Sequence, residues 1–179
     1  MENKLFATFQ GRPLLWHCLH TIRRLEFSEV HAVIGYQTKR IEAYLQHYAV
    51  NIVKNERFAE GLGTSLSTGI AALGDKVDAS FVCLADMPLI EASVFSALSH
   101  AFKDDVNCDI CVPIFEEQMG HPVLFGRRHF PILTAANGEG GARNLLAVNS
   151  ELIRRVVVGS PSILRDYDTI EDFSSGDID

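Results

Sequence analysis

No apolar run in this chain approaches the length needed to cross a bilayer, and the opening stretch MENKLFATFQGRPLL lacks the charged, apolar and small-residue succession of an export signal. The expectation is a cytoplasmic protein with no membrane partner. Positive charge is also in short supply: 16 Lys and Arg against 23 Asp and Glu leave a net charge of -7. That balance disfavours general binding to nucleic acid or anionic lipid, both of which reward a cationic face. No Ser/His/Asp or Cys/His nucleophile set can be assembled, and no complete GxxxxGK[ST] phosphate loop is present. No linker, repeat or low-complexity segment divides the chain. With 47% hydrophobic residues in 179, it is predicted to form a single domain over 1–179, with SSGDID as a frayed end.

Cysteine is sparse. Cys18, Cys83, Cys108 and Cys111 are too few for a disulfide framework in a chain this rich in core residues. The CDIC pair has the look of a metal or redox motif. Read as part of a strand, however, its two cysteines are three apart and face opposite sides, so they are not expected to share an ion. His17 and His20 lie three apart on a predicted helix. No third ligand completes a metal site there, and they read as packing or surface residues.

What is present is alternation. EVHAVIGY (29–36), NIVKN (51–55), ASFVCLA (79–85) and CDICVPI (108–114) are short β-branched or apolar runs that predict strands. Between them RPLLWHCLHTIRRL, TKRIEAYLQHY, TSLSTGIAALG and EASVFSALSHAF carry apolar residues at helical spacing. The pattern predicts a three-layer α/β fold around a mainly parallel sheet. Pro13 suits a first helical turn, Thr64 or Ser65 a helix cap, and Gly74 a helix stop. After Pro113 the rhythm changes: GHPVLFG predicts a strand, GGARNLLAV a helix after a glycine turn, and IRRVVVG a late strand.

Ligands of open α/β sheets bind beyond the carboxyl ends of the strands. Asp86, in VCLADMPLI, follows an apolar run and is therefore expected at that edge, either as a ligand group or as a helix cap or turn residue beside Pro88. EGLGTSLSTG joins glycines, hydroxyls and helix-start amides, which suits an anionic ligand, although many helices begin this way. His121 sits between Gly120 and Pro122. Arg143 opens a helix after a glycine pair, placed either to grip a phosphate or heterocycle or to form a surface ion pair. LRDYDTIEDF crowds Asp166, Asp168, Glu171 and Asp172 into a solvated tail or a second carboxylate site.

Taken in order, KLFATFQGRPLL, GLGTSLSTGI, VCLADMPLI, GHPVLF, GARNLL and DYDTIEDF resemble the molybdenum-cofactor cytidylyltransferases and their guanylyltransferase relatives, closer to the cytidylyl branch. The resemblance implies a Rossmann-like α/β/α sandwich. It also implies transfer of a nucleotidyl group, with CTP favoured, to a phosphate-bearing acceptor of molybdopterin type, with release of pyrophosphate. By the same resemblance Asp86 and Asp168 are ligands of Mg²⁺, Lys4 contacts the triphosphate and serves catalysis together with Asp86, Gly63 and Ser65 lie beside the nucleotide, and His121 and Arg143 face the acceptor. Members of that family open with a strand and a glycine-rich loop that MENKLF does not show. A sheet short of its first strand is therefore expected, with exposed edges that invite a homo-oligomer or a partner chain. Two alternatives stay open: a non-catalytic nucleotide- or protein-binding relative of the same fold, and a sugar-phosphate nucleotidyltransferase.

Overall fold

The computed structural model describes residues 3–105, 108–148 and 152–167. A hairpin of β1 (Thr8–Phe9) and β2 (Arg12–Pro13) leads into α1 (Leu14–Ile22). Next come β3 (His31–Ile34), α2 (Thr38–Leu45), β4 (Asn51–Lys54), α3 (Leu62–Ala71) and β5 (Ala79–Val82). The second half holds α4 (Ala92–Asp104), β6 (Ile110–Phe115), β7 (Gln118–Met119), β8 (Val123–Gly126), α5 (Phe130–Thr134), α6 (Arg143–Val148) and β9 (Ile153–Val157).

Side-chain alternation explains the layering. On β6, Ile110 and Val112 join Val123 and Phe125 of β8 under Ile70 of α3, Leu133 of α5 and Leu145 of α6. Cys111 and Leu124 point the other way, onto Val94, Phe95 and Leu98 of α4. Both faces of these strands are therefore buried, as their unbroken apolar runs require. Leu15 and Leu19 of α1 and Ile41 and Leu45 of α2 cover Ile34 of β3, and the rings of Phe27, Phe81 and Phe95 meet edge to face in the cluster around α4. The result is the expected α/β/α sandwich.

Strand direction is mixed around a parallel majority. β3 and β4 pair in parallel, as do β6 and β9, while β8 runs antiparallel between β5 and β6. Among the described residues no ladder joins β3 to β5. The two sheets are held side by side by shared helices: Val33 of β3 meets Gly69 of α3, and Ala85 beyond β5 packs with the cluster of α1 and β3. All four residues of β5 stay half-buried, whereas those of β8 are fully buried.

Several local expectations are corrected. α1 begins at Leu14, and Pro13 is extended, paired with Thr8 across a turn in which Gln10 and Gly11 adopt positive φ. α3 starts at Leu62, ahead of Thr64 and Ser65, because Gly61 at φ 112° makes the entry turn. It ends at Ala71 rather than at Gly74, whose N–H instead donates to Glu29 Oε1 at 2.9 Å. The cysteine geometry also differs. β6 begins only at Ile110, so Cys108 lies outside the alternating strand, and its Sγ comes within 3.0 Å of Cys111 Sγ, both as free thiols.

Candidate active site

Lys4 stands in a single helical turn, Lys4–Phe6, capped by the Asn3 side chain, which accepts from the Leu5 N–H at 3.1 Å. Phe6 anchors that turn, edge-on to Tyr44 and beneath the Arg40 guanidinium at 4.2 Å. The anchored turn aims Lys4 Nζ at Asp86 Oδ2, 2.6 Å away. Asp86 lies four residues beyond β5. Its backbone carbonyl accepts from the Tyr167 N–H at 3.1 Å, and the Tyr167 ring packs on Phe9, so the C-terminal segment holds the loop in place. The Asp86 carboxylate is only partly satisfied: Oδ1 is buried with no hydrogen-bond partner.

Topology brings His121 to the same place. β8 is antiparallel to β5 with Val82 opposite Val123, so the residues that precede β8 meet those that follow β5. The His121 N–H donates to the Ile163 carbonyl at 2.9 Å. Gly120 allows this close approach, since a Cβ there would overlap the same carbonyl oxygen. Burial is the main cause that lowers the His121 pKa below its ordinary value. Contact with the Val82 backbone and the charges of Asp86 and Asp166 pull it up, and Arg143 adds a smaller downward push. The charges of Asp86, Asp166 and Arg143 all reach this imidazole, whose Nδ1 is buried and unpartnered. Asp168 lies outside the described residues.

Gly63 and Ser65 form a second group at the start of α3. The amide expected to be open to a ligand at Gly63 is occupied, donating to the Gly138 carbonyl at 2.8 Å. A Cβ at Gly63 would come within 2.5 Å of the Asn137 carbonyl oxygen, so glycine is what lets the 137–142 loop lie on α3 before it turns into the helix of Arg143. Ser65 accepts from Asn55 Nδ2 at 3.0 Å. Sequence reasoning passed over Asn55 and named Asp166 only as one of four carboxylates in the C-terminal segment. Asn55 closes the run NIVKN, just after Lys54 at the end of β4, and no local signal set it apart, whereas Asp166 was indistinguishable from its acidic neighbours.

One half-buried carboxylate with an unpaired oxygen, and a second carboxylate close to His121, are hard donors of the kind Mg²⁺ takes together with substrate phosphates. Among the described residues no group of three or more His, Cys, Asp or Glu would hold a metal by itself. The described helices include none long and apolar enough to cross a membrane.

Fold and site together define a nucleotidyltransferase-like α/β domain. The chain belongs to the MobA-like NTP transferase domain family, whose model matches residues 1–156. It is similar in structure to Rv0371c from Mycobacterium tuberculosis H37Rv in complex with manganese, with a TM-score of 0.83, 20% identity and coverage of 97% of this chain and 90% of that one. CMP:2-keto-3-deoxy-manno-octonic acid synthetase complexed with CTP superimposes with a TM-score of 0.76 at 12% identity, over 98% of this chain and 90% of that one. Molybdopterin-guanine dinucleotide biosynthesis protein A from Archaeoglobus fulgidus gives 0.64 at 14% identity, over 97% and 88%. In sequence, the bifunctional protein GlmU of Symbiobacterium thermophilum is 24% identical over 126 residues, which cover 69% of this chain and 26% of that protein. The chain thus spans about a quarter of the length of the curated relatives it matches.

Proposed function

We propose that this chain catalyses divalent-metal-dependent nucleotidyl transfer, moving a cytidylyl group from CTP to a phosphate on a molybdopterin-type acceptor and releasing pyrophosphate. The observation that carries the reading is Asp86: its Oδ2 is held by Lys4 while Oδ1 is buried without a partner, at the edge of the sheet where α/β proteins bind ligands. A buried carboxylate oxygen left unpaired is costly unless a ligand completes it. Mg²⁺ on Asp86, with Asp168 or Asp166 as the second carboxylate, would neutralise charge on the triphosphate and polarise its α-phosphate.

The remaining work falls to the protein's own side chains. Lys4, already beside Asp86, supplies positive charge to the triphosphate. Arg143 and His121 bind and orient the acceptor phosphate so that its oxygen attacks the α-phosphorus in line. One P–O bond forms as the bond to the β-phosphate oxygen breaks, and pyrophosphate carries away the electron pair. No protein nucleophile is needed. With its pKa lowered by burial, His121 stays neutral at pH 7 and can exchange a hydrogen bond with the acceptor without a charge of its own.

Structural similarity to a CTP-bound synthetase named for a sugar acid favours a second acceptor class, a sugar carrying the attacking oxygen. The test is a thermal-shift titration with CTP, GTP, ATP and UTP, each with and without Mg²⁺, because a ligand that binds only the folded state raises its apparent stability. A Mg²⁺-dependent shift selective for CTP is expected, followed by pyrophosphate release with a phosphate acceptor. A chain that no triphosphate stabilises is not a nucleotidyltransferase, and release with sugars alone would select the second acceptor class.

A further inference from the structure

Asn55 follows the last residue of β4, where its N–H continues the ladder by donating to the Ile34 carbonyl at 2.8 Å. Its side chain is only 4% exposed, yet every polar atom on it is used. Oδ1 accepts from the Arg57 N–H at 2.9 Å, which fixes the amide orientation. Nδ2 then donates to two neighbouring hydroxyls of α3, Thr64 Oγ1 at 2.9 Å and Ser65 Oγ at 3.0 Å. The two hydroxyls differ in what they have left. Thr64 directs its proton inward, with the carbonyl oxygens of Arg57 and Gly61 each 2.9 Å away. Ser65 makes no second hydrogen bond among the described residues, and it is half-buried at the carboxyl edge of the sheet.

A hydroxyl oxygen that accepts from an N–H must turn its own proton away from that nitrogen. From this, and resting on the nucleotidyl-transfer reading above, we infer that Asn55 is a positioning residue that fixes Ser65 as a hydrogen-bond donor to an acceptor oxygen of the bound nucleotide. Asn55 has no contact with the ligand in this arrangement. It acts by setting which way one proton points, and its burial keeps water from competing for that choice.

Replacing Asn55 with Asp keeps the shape but removes the N–H donors, so the Ser65 proton turns inward and a lone pair faces the ligand. The experiment is a binding cycle of the native chain, Asn55→Asp, Ser65→Ala and the double variant, with Mg²⁺-CTP titrated calorimetrically below the melting temperature of each. Asn55→Asp and Ser65→Ala are each expected to weaken binding about 3- to 10-fold, the loss of one hydrogen bond. The double variant is expected to be no weaker than Ser65→Ala. A cost of Asn55→Asp that persists in the Ser65→Ala background would assign the effect to the added charge and overturn the inference. Equal binding by the native chain and Asn55→Asp would do the same. Should Asn55→Asp fail to fold, Ser65→Ala decides alone, and undiminished binding in that variant overturns the donor role. A native chain that binds no triphosphate removes the proposed function and Ser65's ligand role together, whereas normal native binding with an additive cycle removes only the role of Asn55.

Discussion

Lys4 and Asp86 are 82 residues apart in sequence and 2.6 Å apart in space, joined Nζ to Oδ2, while the other oxygen of the same carboxylate is buried and unpaired. The pair is partly open to solvent, with side-chain exposures of 39% and 20%, so its contribution to stability is small. Its significance is one of direction: one oxygen of the carboxylate is held by the protein, and the other is the one that the proposed function assigns to a metal.

Asp86→Asn therefore separates chemistry from folding. It is expected to lower metal-dependent pyrophosphate release by at least about 100-fold, equivalent to roughly 3 kcal/mol of lost transition-state stabilisation. The melting temperature without nucleotide should change little. Full activity in this variant, measured at saturating Mg²⁺ and triphosphate, rules out Asp86 as the metal-binding group.

His121 makes the fold sensitive to acid. Burial lowers its pKa in the native state, while an unfolded histidine titrates near about 6.5. Above that pH the imidazole is neutral in both states. As pH falls below it the unfolded chain takes up a proton that the native chain refuses, so stability is lost until pH passes the native pKa. Urea denaturation at pH 7 and pH 5 should show a smaller loss for His121→Gln than for the native protein. Equal losses would show that His121 is not responsible. His129, also lowered mainly by burial, accounts for part of the loss that remains.

Gly63 is required by its neighbours rather than by its dihedral angles. Gly63→Ala puts a Cβ 2.5 Å from the Asn137 carbonyl oxygen, and backbone cannot retreat as a flexible side chain would. The variant is expected to lose about 1–3 kcal/mol in denaturant titration. Hydrogen exchange should also quicken at the Gly63 amide, whose acceptor is Gly138. Unchanged stability would mean that the 137–142 loop moves without cost.

The thiols should be inert in the folded protein. Burial raises Cys18 to about 12, with the Asp86 charge adding to it, and burial likewise pushes Cys83 and Cys111 well up. Only the thiolate attacks an alkylating agent. Treatment with iodoacetamide at pH 8 is expected to leave these three cysteines unmodified until guanidinium unfolds the chain, when all four cysteines of the sequence react. Rapid native-state labelling of Cys111, read by peptide mass, would contradict the packing around β6.

The layered architecture was legible because it follows from local chemistry. Ile110, Val112, Val123 and Phe125 lie in runs that must be buried on both faces, and the helices between them carry their apolar residues at helical spacing. The place of Asp86 at the carboxyl edge of β5 followed from the same rule. Helix starts were less legible. The entry to α3 is set by Gly61 at a positive φ, and Thr64 spends its hydroxyl inside the first turn. CDIC was misread for a related reason, since alternation holds only inside a strand and β6 begins two residues after Cys108.

By itself, then, the sequence determined the alternation of strands and helices, the burial of β6 and β8, and the exit of a carboxylate from β5. Those are properties of neighbouring residues, fixed by side-chain period and by the cost of burying charge. Only the tertiary structure decided which distant groups meet. The reversed direction of β8 carries His121 to Asp86, the turn at Lys4–Phe6 sets an ammonium on the same carboxylate, and the burial of Asn55 spends its amide on Ser65. Contacts of this kind depend on how elements far apart in the chain pack together, which no local pattern specifies.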